Sequence, residues 1–219
     1  MDKASKAFSP EEFEVIANET GALILDTRDT NDFAKGFIPY SINIGLEGNF
    51  AQWVGEMIQD VKQQILLITD LDKEEEAITR LSRVGYGYTV GYLKGGFYAW
   101  KDSDKGIETV ERISPKTFEN KLKDEKPLVI DVRKKSDYQS EHVIGAINVP
   151  LNEINQHLTQ FPKDKPFILH CAGGYRSMIA SAILKQRGWN NFVDIIAGFK
   201  EISETAIPKS EYVCPTTLL

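Results

Sequence analysis

Short apolar runs alternate along the chain with longer stretches that mix apolar and charged residues. The runs ALIL at 22–25 and PLVI at 127–130 are each followed by an aspartate, and QQILLIT at 63–69 and KPFILHC at 165–171 each precede a stretch with helical character. Because these runs do not alternate between apolar and polar residues, they predict buried strands of a parallel sheet. Strands that alternate with helices indicate an α/β fold with right-handed crossover connections.

Two helix starts and four further segments complete the predicted pattern. Ser9 is a good N-cap, Pro10 suits the first helical position, and Glu12 stands where a capping box needs it. Ser114 and Pro115 repeat this start without the glutamate. Second strands are predicted in INIGL and INVPL, and a last strand with a glycine turn in GYLKGG and VDIIAGF; these segments are 42–46, 147–151, 91–96 and 193–199.

The chain contains the same unit twice. FSPEEF at 8–13 is similar to ISPKTF at 113–118, and the segment 22–44 is similar to 128–149, so that each copy contains an aspartate at the end of its first strand. An internal repeat of this length indicates a duplicated structural unit.

The duplication predicts two domains, at residues 6–104 and 112–207. Units of about 100 residues have the usual size of a domain. The segment DSDKGIETVER at 102–112 is polar and shows no periodicity, so the two domains are expected to join near it.

Composition and charge exclude several classes of function. Hydrophobic residues make up 42% and charged residues 26% of the chain, as in ordinary soluble proteins, and the net charge is −6. Since no run of Lys or Arg occurs, a nucleic-acid partner is not expected. No apolar run approaches the ~20 residues that span a bilayer, so no membrane partner is expected either. The N-terminus has no apolar signal region, and Cys171 and Cys214 form no disulfide framework, so we expect a cytoplasmic protein.

Cys171 stands between a predicted strand and a predicted helix, in the glycine-rich run HCAGGYRS. Ligands of such sheets bind at the carboxyl ends of the strands. Glycines let successive backbone N–H groups point inward, and the start of the following helix adds partial positive charge. With Arg176, these groups favour the thiolate of Cys171, which is the nucleophilic form. A cysteine that ends a buried strand is more often a core residue, but the glycine pair and the arginine favour a reactive site.

These residues resemble the rhodanese-homology domain, which is the sulfurtransferase fold. In the second half the resemblance is carried by the segment 131–150, by HCAGGYRSMIASAILKQRGW at 170–189 and by DIIAGF at 194–199. In the first half it is carried by the segment 25–44 and by LKGGFYAW at 93–100. The resemblance covers nearly the whole chain, once per half, and implies two tandem rhodanese-like domains, each with a mainly parallel central sheet flanked by helices.

The same resemblance implies a sulfurtransferase. No cofactor is expected, and no catalytic metal either, because the only histidines are His142, His157 and His170. Such an enzyme moves sulfane sulfur from a small anionic donor, thiosulfate or glutathione persulfide, to a thiol or cyanide acceptor. Cys171 is then the catalytic residue and carries the sulfur as a persulfide; independently of the resemblance, Asp131 and Arg133 are expected to be supporting residues. The substrate-binding loop implied by the family consists of Ala172, Gly173, Gly174, Tyr175 and Arg176.

Loop length separates two activities within this family. Cys171 and Arg176 form a C-x4-R pattern, as in the sulfurtransferases, whereas the related phosphatases have C-x5-R and a wider cradle. The stretch GNFAQWVGEM at 48–57 further resembles tandem rhodanese regions fused behind a metallo-β-lactamase-fold domain, as in persulfide dioxygenase-like proteins. Such a domain in a longer chain is therefore an expected partner, although the HxHxDH metal run is absent from this sequence.

The first half lacks both the cysteine and the glycines of this loop. FILHCAGGYRS aligns there with ILLITDLDKEEEA, whose acidic residues are Asp70, Asp72, Glu74, Glu75 and Glu76. Their negative charge would repel thiosulfate or phosphate, so we expect the first domain to be catalytically inactive. Acidic residues also suit the start of a solvated helix, and a docking role for this loop is the alternative.

The aspartate and arginine that end the first strand occur in both halves. They are Asp26 and Arg28 in the first half and Asp131 and Arg133 in the second. Because the half without a cysteine keeps the pair, we expect a structural ion pair, with support of the active loop by Asp131 as the alternative. His170 should point to the side of its strand opposite to the neighbouring cysteine, which makes it a poor general base.

Three functions remain open. The first is a sulfurtransferase active at Cys171, the second is a non-catalytic regulatory or scaffolding module of a larger sulfur-metabolism protein, and the third is a cysteine-dependent phosphatase or arsenate reductase. The complete cysteine loop argues against the second function and its length against the third. Cys214 precedes a proline near the C-terminus and is expected to be unreactive, with a role as the resolving partner of Cys171 as the alternative. The donor remains open between thiosulfate, glutathione persulfide and a protein persulfide.

Overall fold

The chain folds into two compact units, each built on a parallel sheet. The computed structural model describes residues 6–214, and the units divide between Thr109 and Val110. Each unit contains a five-stranded sheet whose paired strands all run parallel, flanked by helices. The predicted α/β fold with two tandem domains is thereby confirmed. Within residues 6–214, no helix is both long and apolar enough to cross a membrane.

The first unit alternates strands and helices along its whole length. Its strands are β1 (Lys6–Phe8), β2 (Leu23–Asp26), β3 (Ile42–Asn43), β4 (Ile65–Ile68) and β5 (Thr89–Leu93). Its helices are α1 (Pro10–Thr20), α2 (Thr30–Lys35), α3 (Phe50–Met57), α4 (Glu74–Arg83) and α5 (Gly96–Lys101). The strand order across the sheet is β1-β5-β4-β2-β3, so that β4 lies at the centre.

The second unit repeats this arrangement. Its strands are β6 (Arg112–Ile113), β7 (Leu128–Asp131), β8 (Ile147–Asn148), β9 (Phe167–His170) and β10 (Phe192–Ile195). Its α-helices are α6 (Pro115–Asp124), α7 (Lys135–Ser140), α8 (Tyr175–Gln186) and α9 (Gly198–Ile202), and two 3-10 helices (Leu151–Gln156 and Leu158–Gln160) lie between β8 and β9. The strand order β6-β10-β9-β7-β8 places β9 at the centre, as β4 is in the first unit.

The two predicted helix starts are confirmed. Ser9 Oγ accepts from Glu12 N at 3.3 Å while Ser9 N donates to the Glu12 carboxylate at 2.9 Å, which is the reciprocal capping box. Ser114 Oγ accepts from Thr117 N at 3.1 Å and caps α6 without a glutamate. These caps satisfy backbone donors that the first turn of a helix leaves without a partner.

The predicted central strands are confirmed, whereas β3 and β8 are only two residues long. Each of these short strands ends in an asparagine whose side chain bonds to the neighbouring strand. Asn148 Nδ2 donates to Asp131 O at 2.9 Å and to Arg133 O at 3.0 Å, so that the pairing continues through a side chain after the strand has ended. Asn43 makes the same two bonds in the first unit. The edge strands β1 and β6, of three and two residues, are not predicted by the apolar pattern.

A buried ion pair joins the end of the first long strand to the loop after the next helix. Arg133 donates to the Asp131 carboxylate at 2.7–3.0 Å and to Glu141 O at 2.7 Å, and its guanidinium carbon lies 3.8 Å from the centroid of the Phe199 ring. The corresponding residues in the first unit are Asp26, Arg28, Gly36 and Phe97. The ion pair expected at these positions is therefore present in both units.

Removing one member of this pair should destabilise the fold. Burial raises the pKa of Asp26 even though Arg28 acts in the opposite direction, so the carboxylate depends on the arginine for its charge. Arg28→Met should lower the free energy of unfolding at pH 7 by about 3–5 kcal/mol, the usual effect of leaving a buried charge unpaired. The loss should be smaller at pH 5, because protonation of the carboxyl removes the uncompensated charge.

Urea titration followed by circular dichroism measures this effect. Lys35→Ala is the matched control, because Lys35 pairs with Asp32 in the same unit but both side chains are exposed. Its unfolding midpoint should stay at the wild-type value. An Arg28→Met variant with the midpoint of the control would contradict a stabilising role for the buried pair.

Candidate active site

Cys171 follows the central strand of the second unit at its carboxyl end. Strand β9 lies between β10 and β7, and its last residue is His170. Cys171 is 1% exposed, so only a small reagent or the terminal atom of a larger one could reach its sulfur. The site therefore lies at the edge of the sheet where ligands of parallel α/β folds bind.

The loop after Cys171 turns directly into helix α8. Ala172 is half-buried, Gly173 is exposed and Gly174 is buried. Gly174 has φ +93°, in the left-handed region that favours glycine, and its N–H donates to Cys171 Sγ at 3.1 Å. A backbone donor at this distance stabilises negative charge on the sulfur.

Helix α8 aims its N-terminus at this loop and is firmly held. Its residues from Ser177 to Leu184 are all buried, and no acidic residue occurs in its first turn. Tyr175, at the start of the helix, is half-buried. The partial positive charge of the helix N-terminus is therefore available to an anion in the loop.

The turn between β10 and α9 holds the backbone of the cysteine loop from the other side. Phe199 N donates to Cys171 O at 2.7 Å, and Lys200 N donates to Ala172 O at 2.9 Å. This contact requires a glycine at 198, where φ is +57° and a Cβ would collide with Cys171 O and lie 2.9 Å from the Cys171 carbonyl carbon. The AGF motif of the sequence is thus part of the site.

His170 is fully buried and faces the backbone rather than the thiol. Its Nδ1 lies 3.2 Å from Cys171 O, its Nε2 lies 3.9 Å from Asp131 Oδ2, and its ring stacks on Phe199. Burial lowers the pKa of His170, with the Asp131 charge acting in the opposite direction. The ring is therefore neutral at pH 7, and its contacts give it no role as a base toward the sulfur.

Arg176 is paired with a carboxylate that no sequence motif marks as part of the site. Its Nη1 donates to Asp137 Oδ2 at 3.1 Å, and the two side chains are 16% and 40% exposed. Asp137 belongs to α7, so the pair joins this helix to the first turn of α8. The positive charge expected from Arg176 in the cradle is accordingly shared with an acidic neighbour.

A second arginine, Arg112, lies beside the loop. It belongs to β6, and its Nε donates to Asp194 Oδ2 in β10 at 2.8 Å. Burial raises the pKa of Asp194 to about 6, while the Arg112 charge and a hydrogen bond from Ser177 act in the opposite direction. Ser177 Oγ donates to Gly174 O at 3.3 Å, and Asp194 Oδ1 is buried without a hydrogen-bond partner within residues 6–214. No motif marks Arg112, because it lies at the end of the polar segment that predicts a linker.

In the first unit, Thr69 takes the place of Cys171. Thr69 follows the central strand β4 and is buried, and its hydroxyl has no hydrogen-bond partner among the described residues. The next residues are exposed and include Asp70 and Asp72, and three glutamates occupy the first turn of α4. The loop thus contains no thiol and no glycine, and acidic side chains surround the start of its helix.

Comparison with protein families matches residues 9–103 and 114–205 to the rhodanese-like domain. The chain belongs to the rhodanese-like domain family. The thiosulfate sulfurtransferase PspE of Escherichia coli K12 is 39% identical over 82 residues, which are 36% of this chain and 75% of that protein. The putative sulfur carrier protein YrkF of Bacillus subtilis is 24% identical over 109 residues, which are 49% of this chain and 57% of that protein. The family thus includes sulfurtransferases, and this chain spans little more than half of YrkF.

Solved structures resemble the chain in one domain or in both. A rhodanese-related protein from Thermoplasma volcanium is 27% identical with a TM-score of 0.42, and the match covers 46% of this chain and 97% of that one. A thiosulfate sulfurtransferase from Pseudomonas aeruginosa is 17% identical with a TM-score of 0.42, and the match covers 94% of this chain and 44% of that one.

Cys214 is exposed, in contrast to the cysteine of the rhodanese-like loop. It follows a segment that lies against α7, where Val213 N donates to Ser140 O at 2.8 Å and Ser140 Oγ donates to Val213 O at 2.7 Å. The sequence around it, EYVCPTT at 211–217, contains no glycine. Its expected lack of reactivity stays a prediction.

The glycine of the β10–α9 turn allows a test with a matched control. Gly198→Ala should slow alkylation of Cys171 by iodoacetamide by about tenfold or more, because the new Cβ displaces the cysteine loop. Gly96→Ala introduces the equivalent clash in the rhodanese-like domain without a cysteine, where a Cβ would lie 2.9 Å from Thr69 O. That variant should leave the rate at Cys171 unchanged. Equal rates in both variants would show that the turn does not hold the loop.

Proposed function

We propose that the protein is a sulfurtransferase that carries sulfane sulfur as a persulfide on Cys171. The observation that supports this most directly is the hydrogen bond from Gly174 N to Cys171 Sγ at 3.1 Å, at the N-terminus of a buried helix. The donor is a small anion such as thiosulfate or glutathione persulfide, and the acceptor is a thiol or cyanide. The rhodanese-like family and its thiosulfate sulfurtransferase members agree with this activity.

The reaction consists of two nucleophilic displacements at sulfur. The Cys171 thiolate attacks the sulfane sulfur of thiosulfate, the sulfur–sulfur bond breaks, and sulfite leaves with the electron pair. With glutathione persulfide, the leaving group is the glutathione thiolate. In the second step, the acceptor thiolate or cyanide attacks the outer sulfur and releases Cys171 as a thiolate, so that no external oxidant or reductant is consumed.

The chain's own groups suit the charge that this reaction places in the loop. In the persulfide the negative charge lies on the outer sulfur, which is one bond beyond Cys171 Sγ, the atom that carries the charge in the thiolate. Backbone N–H groups of the loop and the N-terminus of α8 favour negative charge in this space. The loop from Cys171 to Arg176 has four intervening residues, which supports sulfur rather than the larger phosphate group as its ligand.

The first rhodanese-like domain is proposed to be non-catalytic. Thr69 replaces the thiol with a hydroxyl, and the acidic residues at the start of α4 oppose an anionic donor. This supports a structural or regulatory role for the first unit in a chain whose second unit is proposed to be catalytic. A role of the chain beside a metallo-β-lactamase-fold domain remains part of the proposal.

Replacing the two cysteines separately tests the nucleophile. Cys171→Ser should abolish sulfur transfer from thiosulfate and from glutathione persulfide to cyanide, whereas Cys214→Ser should retain most of it. Mass spectrometry after incubation with the donor should find the mass of one added sulfur at Cys171 in the wild type and in Cys214→Ser. Turnover by Cys171→Ser would overturn the proposal, as would an added sulfur found only at Cys214.

Introducing a thiol into the first unit tests whether that unit lacks more than a cysteine. The variant Thr69→Cys in a Cys171→Ser background should remain inactive, because the acidic loop provides no glycine cradle for the anion. Its matched comparison is the Cys214→Ser protein, which keeps its native cysteine loop. Transfer restored to more than about a tenth of the rate of that comparison protein would contradict the importance assigned to the loop.

A further inference from the structure

Arg112 and Asp194 form a buried ion pair next to the cysteine loop. They are directly opposite one another in the parallel strands β6 and β10. The Arg112 Nε to Asp194 Oδ2 distance is 2.8 Å, and the side chains are 10% and 0% exposed. At this depth the charges are screened little by solvent, so the pair affects the potential of its surroundings more than a surface pair would.

The guanidinium of Arg112 extends from this pair to the loop itself. A Cβ placed on Gly174 would lie 3.1 Å from Arg112 Nη2 and 3.8 Å from Ala197 N. Gly174 is the residue whose N–H donates to Cys171 Sγ. The guanidinium of Arg112 therefore lies beside the residue whose N–H stabilises charge on the sulfur, while its Nε is held by the carboxylate.

The first unit has no such pair, although it shares the sheet topology. Ala7 lies two residues before Ser9, as Arg112 lies two residues before Ser114, so Ala7 occupies the position of Arg112. Ala7 is in register with Tyr92 of β5, which occupies the position of Asp194, and Phe8 is in register with Leu93. The fold of these sheets therefore does not need an ion pair at this place. By contrast, the pair between Asp26 and Arg28 occurs in both units, as expected for a structural contact.

We propose that Arg112, held in place by Asp194, is a specificity-determining residue that favours anionic sulfur donors at Cys171. The inference rests on the proposed function of Cys171 as the sulfur carrier. Arg112 acts by adding positive potential at the loop, and Asp194 orients the guanidinium and partly compensates its charge. Arg176 has a corresponding partner in Asp137, but that carboxylate is 40% exposed and its effect is screened by water.

The protonation of Asp194 makes this selectivity dependent on pH. The groups that affect this carboxyl are Arg112 from β6, the Ser177 hydroxyl from α8 and the backbone N–H of Ile195 in its own strand. Burial raises its pKa to about 6. As the pH falls through this value, Asp194 becomes neutral and no longer compensates the charge of Arg112, so the loop should attract anions more strongly.

The rates at which iodoacetate and iodoacetamide alkylate Cys171 measure this potential in the full chain. The same thiolate attacks both reagents, but only iodoacetate is an anion. We therefore use the ratio of the iodoacetate rate to the iodoacetamide rate, in which changes in the thiolate population cancel. In a Cys214→Ser background, the ratio should rise on the order of three- to tenfold as the pH falls from 7.5 to 5. Asp194→Asn should have the raised ratio already at pH 7.5 and should not change through pH 6.

The double variant Arg112→Ala/Asp194→Ala should have the opposite effect. It removes both charges of the pair and should lower the ratio on the order of threefold at pH 7.5, whereas Arg112→Lys should recover part of the loss. A purely structural role would slow both reagents equally and leave the ratio unchanged in every variant. That result, or a ratio that still follows pH in Asp194→Asn, would overturn the proposal.

The two alkylation rates do not require sulfur transfer, so this test is separate from that of the proposed function. If transfer occurs, the KM for thiosulfate should rise in Arg112→Ala/Asp194→Ala, while the KM for the neutral donor diallyl trisulfide should stay within about twofold of the wild-type value. An equal rise for both donors would contradict selection by charge. If the ratio responds as expected but no donor is turned over, the sulfurtransferase proposal fails and the electrostatic role of Arg112 remains.

Discussion

The carbonyl oxygen of Cys171 is the point at which strand, loop and the following turn of the second unit are joined. Phe199 N donates to it at 2.7 Å, which brings the backbone at Gly198 so close that no side chain fits there. This contact fixes the direction in which the chain leaves β9, and so determines where Gly174 can place its N–H relative to the sulfur. In the first unit Gly96 approaches Thr69 O in the same way. The close approach is therefore a property of the scaffold, and the residues that follow it decide whether the edge of the sheet can do chemistry.

Sequence patterns predict the parts of this scaffold that depend on neighbouring residues. The apolar runs mark the central strands, and Ser9 with Glu12 marks the start of a helix, because each signal lies within a few residues of the element it forms. The cysteine loop is predictable for the same reason. By contrast, β1 pairs with β5 and β6 with β10, in each case a strand about eighty residues further along the chain. No local pattern of residues predicts such a pairing.

The side chains around the loop show the same division. Arg176 is found from its spacing to Cys171, but its partner Asp137 is brought to it by α7, 39 residues earlier in the chain. Arg112 and Asp194 are 82 residues apart. The segment that contains Arg112 predicts a linker and the one that contains Asp194 predicts a strand, so neither segment indicates a site. Their role becomes visible only when the sheet places them side by side next to Gly174. Charged residues that a fold buries in pairs are thus the part of a site that a single sequence conceals most effectively.

The duplication separates what the fold requires from what the chemistry requires. Both units keep the aspartate–arginine pair, the asparagine that extends the short strand, and the glycine at the following turn. They differ in the thiol, in the glycines beside it, and in the charges of the neighbouring strands. Arg112 and Arg176 are both paired with carboxylates, so the proposed function assigns the attraction for an anion at neutral pH mainly to backbone N–H groups and the N-terminus of α8. In the proposal for Arg112, the buried pair adjusts this attraction more strongly than the pair of Arg176 with Asp137, because a buried pair is screened less by water.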